Sequence, residues 1–380
     1  MSVQLYDDES WVVFDNIDTT KCNNLSNAGE QAKTDEGGGF NGKKIGFVHT
    51  YHNIISVDNL LLAWQEFLRG KKHKKDVQEF QLNLMDNILS LHYDLKTKTY
   101  THGGYSAFNI SDPKPRNIHK ASVRDRLLHH AIHRVLYPYF DQKFIYDSYS
   151  CRVGKGTHKA MNRFRSFAYK VSKNNTKQCF VLKCDIRKFF ASIDQEILLN
   201  ILKKHITDKD TTWLLERVIN SFSSFSPLTY SNVLENIGIE EKGLPLGNLT
   251  SQLLVNIYMN EFDQFIKHKL KIKYYIRYAG DFVILSQNKN QLLENIRYIV
   301  CFLEKELSLQ LHPNKVFIKT LSSGVDFLGW VNFARHRVLR NTTKRRMLRA
   351  MNGKASRETM KSYLGMLKHG NAYKLRKHLL

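Results

Sequence analysis

Two aspartates stand at points where the chain can present a carboxylate. In YYIRYAGDFVILS, residues 274–286, apolar and aromatic residues alternate on both sides of Ala279-Gly280-Asp281, which predicts a β-hairpin with an acidic residue at its tip. In VLKCDIRKFF an apolar strand ends on Asp185. An isolated Asp at a hairpin tip can be a turn former and nothing more. If adjacent strands bring the two carboxylates together, they become hard oxygen ligands of the kind that suit magnesium. His129 and His133, one helical turn apart, are a weaker metal candidate, because no Glu accompanies them as in HExxH. No P-loop is present, and no GxGxxG follows a strand.

A chain of 380 residues can bury a large core and divides into two or three subdomains. Its formal charge of +23, from 58 Lys+Arg against 35 Asp+Glu, points to a polyanionic partner, nucleic acid first. No apolar run is long enough to span a bilayer, and MSVQLYDDESWVVFDN lacks the basic-then-apolar order of a signal peptide, so a cytoplasmic protein is expected. Cys22, Cys151, Cys179, Cys184 and Cys301 are scattered without a CxxC pair and are expected to be reduced. From about Asn16 to Lys44 the sequence is polar, as in a flexible or partner-ordered extension. Downstream, two amphipathic helices broken at Gly70 precede a strand, a Pro-punctuated turn and a second strand in YSAFNISDPKPRNIHKA. SVRDRLLHHAIHRVLYPYF reads as a helix capped by Ser122. No repeat of 20–50 residues indicates a solenoid.

Four segments, in order, resemble the palm of reverse transcriptases: VLKCDIRKFF, the loop GLPLGNLTSQ, the 274–286 hairpin, and LSLQLHPNKVFIKTLSSGVDFLGW. The resemblance runs from roughly Tyr105 to His369, and the upstream DPKPRNIHKASVRDRLLHHAI and DSYSCRVGKGTHKA are similar to the fingers motifs of prokaryotic members. The stretch from Leu246 to Gln252 resembles diversity-generating-retroelement enzymes and related defence-associated reverse transcriptases. The resemblance implies an α+β right-hand fold with fingers, a palm with an antiparallel sheet, and a helical thumb. Its parts are a polar extension (1–44), fingers (45–176), palm (177–335, with a helical insertion at about 196–242) and a basic thumb (336–380).

It also implies residue roles. Asp185, Asp281 and the carbonyl of Ile186 would hold two divalent ions, magnesium with manganese as the alternative, for nucleotidyl transfer. Lys315 would protonate departing pyrophosphate or stabilise its charge. Lys114 and Arg116 would hold the incoming triphosphate, Phe190 would exclude a 2′-hydroxyl, and Leu246 with Gly247 would line the nascent pair. Phe327, Leu328, Gly329 and Trp330 would support the primer end. Arg152, Lys344, Arg345, Arg346 and Arg349 would contact nucleic acid. The implied partners are an RNA template, expected to be a structured noncoding RNA, a DNA product and deoxynucleotides; a protein partner or a second copy is left open.

One position departs from the family pattern. Reverse transcriptases usually show Tyr-x-Asp-Asp at the hairpin, and here the first Asp is Gly280. Three readings follow. Gly280 can supply a positive φ that lets Asp281 shift, the two aspartates can hold metal weakly, or the chain can be a non-catalytic RNA-binding scaffold.

Overall fold

The computed structural model describes residues 2–6, 11–15, 46–111, 115–222, 242–352 and 356–379. The chain starts with an antiparallel hairpin of β1 (Ser2–Tyr6) and β2 (Trp11–Asp15), so part of the expected extension is sheet. Residues 1, 7–10 and 16–44 of that extension lie outside the described residues.

After a short α1 (Tyr51–Ile55), the expected helix pair is three helices: α2 (Val57–Phe67), α3 (Lys75–Leu82) and α4 (Leu84–Lys96). Ser56 ends α1 and caps α2, its hydroxyl accepting from the Asn59 N–H, while Gly70 turns the chain between α2 and α3 at a φ of 69°. β3 (Tyr105–Ile110) and β4 (Arg116–Ala121) then form a largely exposed antiparallel arm, in register from Tyr105–Ala121 to Ile110–Arg116. α5 (Val123–Lys143) is capped by Ser122 and buries Leu127, Leu128, Ala131, Val135 and Leu136; α6 (Thr157–Val171) follows.

The centre is built from β5 (Phe180–Asp185), α7 (Gln195–Lys203), α8 (Lys209–Ile219), α9 (Leu249–Gln264), β6 (Tyr275–Tyr278), β7 (Asp281–Ser286), α10 (Lys289–Leu307) and β8 (Phe317–Thr320). The strands lie in the order β6-β7-β5-β8, every neighbour antiparallel. β5 is covered on both faces. Leu182 and Cys184 join the main core with α9 and α10, whereas Val181 joins a second core with Phe164 and Phe167 of α6. That double coverage accounts for an apolar run without alternation. α7 and α8 fall in the expected insertion, whose residues 223–241 lie outside the described residues.

A second sheet of β9 (Val325–Phe327), β10 (Trp330–Asn332) and β11 (Arg337–Leu339) leads into α11 (Asn341–Asn352), α12 (Arg357–Leu367) and α13 (Tyr373–Leu379). β11 lies within the stretch expected to be helical, because its three residues extend the sheet by pairing with β10. A third core of Met161, Trp330, Leu339, Met347, Leu367 and Ala372 fixes these helices to α6. Among the described residues no helix is long and apolar enough to cross a membrane, and Cys151, Cys179 and Cys184 are free thiols.

Candidate active site

Tyr278 pairs with Asp281, so the hairpin turns on two residues, Ala279 and Gly280. Positive φ falls on Ala279, at 54°, and not on Gly280. The expected backbone role of Gly280 is therefore corrected. Its lack of a side chain serves close packing instead: a Cβ there would lie 2.9 Å from Cγ and 3.1 Å from Cβ of Phe189.

Asp185 and Asp281 are directly opposite residues of β5 and β7. The Ile186 N–H donates to the Gly280 carbonyl at 3.1 Å, which makes Asp185 and Asp281 a non-hydrogen-bonded pair, the closer kind, with Cα atoms about 4.5 Å apart. Like charges so placed oppose pairing unless they are compensated. Lys315 Nζ donates to Asp185 Oδ2 at 2.5 Å, and Lys183 Nζ lies 3.6 Å from Asp281 Oδ1. Lys315 sits on a single 3-10 turn, Pro313–Lys315, that is tied to β5 by the His312 N–H donating to the Asp185 carbonyl at 2.7 Å. Lys183 was missed in the sequence although it lies two residues before Asp185, hence on the same strand face.

The donor chemistry of Asp185, Asp281 and the Ile186 carbonyl suits a hard divalent cation. No cluster of three or more His, Cys, Asp or Glu side chains gathers among the described residues. His129 and His133 do not converge on a metal: His129 is buried and shares a 3.2 Å contact with His102 Nε2, whereas His133 stacks on Tyr137.

The other predicted residues divide. Phe190 is half-buried against the main core, its ring edge-on to Phe189, and its carbonyl accepts from the Leu244 N–H at 2.8 Å. The loop before α9 is stitched to the exposed arm, because the Leu246 carbonyl accepts from the His119 N–H at 3.1 Å. Gly247 adopts a φ of 118°, and a Cβ there would meet Ile118 Cγ2 at 2.9 Å. Arg116 is exposed at the start of β4, and Lys114 lies outside the described residues. Leu328 and Gly329 form the two-residue turn between β9 and β10 with φ of 52° and 88°. Phe327 and Trp330 point into the core, the first against Phe164 and the second into the third core, so of these four residues only Leu328 and Gly329 are partly exposed.

Lys344, Arg345 and Arg349 are exposed on α11, Arg346 is half-buried, and Met347 anchors the helix. Arg152 corrects the expectation of nucleic-acid contact. Its side chain is only 5% exposed; Nε donates to Asp141 Oδ1 at 2.7 Å, and NH1 to the Ile145 and Ser148 carbonyls at 2.7 and 3.1 Å. The guanidinium is consumed in holding its own loop.

A second residue missed in the sequence lies beneath the hairpin. Arg277 is fully buried and donates to both oxygens of buried Asp263, Nε to Oδ1 at 2.8 Å and NH2 to Oδ2 at 2.6 Å. It also donates to Asn256 Oδ1, Ser148 Oγ and the Ala279 carbonyl, so one guanidinium ties α9, the loop before α6 and the strained turn together. Burial opposes its charge, but the Asp263 carboxylate outweighs that and raises its pKa; burial likewise pushes the Tyr275 phenol, which donates to Asp263, well above its usual value. In the sequence this appears only as one Arg in a strand and one Asp in a distant helix.

The chain belongs to the reverse transcriptase (RNA-dependent DNA polymerase) family, whose sequence profile matches residues 110–331. The antiparallel sheet that carries the aspartates, with its flanking helices, is the α+β right-hand fold of that family. Protein YkfC of Escherichia coli strain K12 is 24% identical over 297 residues, covering 69% of this chain and 71% of YkfC. The putative COX1/OXI3 intron 2 protein of Saccharomyces cerevisiae is 21% identical over 286 residues, and the chain spans 31% of its length and 60% of its own. Nuclear intron maturase 1, mitochondrial, of Arabidopsis thaliana is 20% identical over 320 residues, 61% of this chain and 44% of the maturase.

Proposed function

We propose that this chain is a working RNA-directed DNA polymerase, which extends a hydroxyl primer by copying RNA with deoxynucleotides. The observation that carries the reading is the placement of Asp185 directly opposite Asp281, with Lys315 bonded to the first. A purely structural sheet has no use for two facing carboxylates, which oppose strand pairing.

Asp185, Asp281 and the Ile186 carbonyl would hold magnesium, with manganese as the alternative, and such an ion supplies Lewis-acid stabilisation of charge on the phosphoryl oxygens. Lys315, half in solvent, can leave Asp185 for the triphosphate and hand its proton to departing pyrophosphate. Arg116, with Lys114, would grip the triphosphate as a planar fork beside a point charge. Phe190 would close the space that a 2′-hydroxyl needs. Leu246 offers no side-chain amide to the nascent pair, so geometric checking is loose and fidelity low. The exposed cations of α11 would track a nucleic-acid backbone.

The introns in the names of two relatives support an RNA partner, taken here to be a structured noncoding RNA that serves as template, and the loop from Leu246 to Gln252 supports a retroelement or antiphage defence setting. Gly280 supports the one rival, a catalytically impaired RNA-binding subunit. Incorporation of labelled deoxynucleotides on an RNA template, in magnesium and in manganese, separates the two. Synthesis that is lost in Asp185→Asn supports the polymerase; RNA binding with no synthesis in either metal supports the scaffold.

A further inference from the structure

We propose that a groove at the far end of the central sheet is a second RNA-binding surface, which docks a folded part of the RNA that is not being copied. The proposal rests on the RNA partner of the reading above and holds whether or not the chain makes DNA. The groove, of about 390 Å³, lies between the end of α6, the 270–274 turn that leads into β6, and the start of α10. Lys170, Lys173, Lys271 and Lys273 line it, all four exposed, and among the described residues no carboxylate does. Partly exposed lysines elsewhere are matched, Lys98 with Asp210 and Lys120 with Asp76. Lys170 and Lys173 suit the negative end of the α6 dipole, but Lys271 and Lys273 come from a different element. Four like charges gathered on one hollow repel each other, and a polyanion relieves that repulsion.

The walls of the groove are tied down. Gln287 Nε2 donates to the Val171 carbonyl at 2.5 Å, and the Lys177 N–H to the Ser172 carbonyl at 2.8 Å, which closes the loop after α6. On the other side Lys267 Nζ donates to the Ile272 and Lys273 carbonyls at 3.2 and 2.8 Å. A backbone held in advance leaves only side-chain freedom to lose when a phosphate arrives. Ser286, Gln291 and Asn295 add hydroxyl and amide groups of the kind that contact phosphate and sugar. Tyr274 adds a ring, with Lys273 Nζ 5.7 Å from its centre. That mixture suits RNA, with its 2′-hydroxyls and stackable bases, better than a lipid surface. The groove is also remote from both places where the copied duplex would lie. β7 runs from Asp281 to Ser286, which puts the groove about 17 Å along the sheet from the aspartates. On α6, Met161 meets the core of the C-terminal helices, and Val171 reaches the groove about 15 Å further along.

Two RNAs test this on the full chain: a short template annealed to a DNA primer, and the same primed template lengthened by a stem-loop at each end. The variant Lys170→Gln/Lys173→Gln/Lys271→Gln/Lys273→Gln should bind the lengthened RNA at least about 10-fold more weakly, with a salt slope shallower by about 2–4. It should bind the short one as the wild type does. Arg at the same four positions should keep the wild-type affinity for both. Equal loss for the two RNAs would reveal general charge attraction, and no loss for either would reveal a solvated face; each overturns the proposal. Lost binding to phosphatidylserine vesicles, with both RNAs bound as before, would assign the groove to lipid and overturn it too. DNA synthesis on the short template reports on the polymerase reading separately, so a silent enzyme leaves the RNA comparison standing. All four side chains are exposed, and an unchanged unfolding midpoint checks that the Gln variant is folded. If it is not, Lys271→Gln/Lys273→Gln supplies the same comparison, with a slope change of about 1–2.

Discussion

The backbone of Gly280 approaches the ring of Phe189 so closely that the position has no room for a side chain, and this contact decides which carboxylates the hairpin can present. The turn carries one acid, Asp281, at the first residue of β7, and the partner acid comes from the next strand, Asp185 of β5.

Restoring an acid at the turn should therefore damage the fold before it can help the chemistry. Gly280→Asp is expected to lose about 1–3 kcal/mol through overpacking against Phe189. Denaturant unfolding checks this, and Gly280→Asp combined with Phe189→Leu should recover part of the loss. An unchanged unfolding midpoint in the single variant would contradict the contact.

Arg277→Met leaves Asp263 buried without its partner and should cost about 3–5 kcal/mol. The double variant Arg277→Met/Asp263→Leu should be more stable than the single one. Additive losses in that cycle would show that the pair is not coupled.

Arg152→Ala and a triple Lys344/Arg345/Arg349→Ala variant should fail in different ways. The first should unfold more easily with unchanged salt dependence of RNA binding, because its guanidinium is spent on Asp141 and loop carbonyls. The second should fold normally, with its salt slope shallower by about 0.7–0.9 for each phosphate contact removed. Titrations at several ionic strengths distinguish them, and a shallower slope in Arg152→Ala would reinstate it as a nucleic-acid contact.

Stability should fall as pH drops below the range where unfolded histidines begin to charge. Burial, with neighbouring His102, depresses His129 to about 3, and burial also lowers His130 and His133 to about 4. Above about 6.5 these groups are neutral in both states and their contribution is complete. Between about 6.5 and those depressed values the unfolded chain binds more protons, so unfolding free energy declines with acid. Denaturant midpoints at pH 7.5, 5.5 and 4.5 should descend in that order, less steeply in His129→Gln. A flat series would contradict the burial.

The strand end at Asp185 and the turn before Asp281 were legible in the sequence because apolar runs and turn chemistry are local, whereas that the two strands are neighbours came only from the family resemblance. Lys183 was equally legible, two residues before Asp185, but an apolar run drew attention away from its one charge. Arg152 could not be read that way. Whether a guanidinium meets phosphate or Asp141 depends on how a loop folds back on α5. The inward turn of Phe327 and Trp330 depends likewise on α6 and the C-terminal helices, which supply the cores that receive them. The positive φ at Ala279 and the space beside Phe189 are tertiary facts, and they reversed the reason expected for Gly280.

The most direct measurement is single-turnover extension of a primer on an RNA template by the wild type and by Asp281→Asn, with RNA affinity and unfolding measured on the same preparations. Measurable extension by the wild type, reduced at least about 100-fold in the variant with affinity and stability retained, is the expected result. Equal extension by both proteins, or none by either, would contradict a polymerase that works with a single hairpin carboxylate.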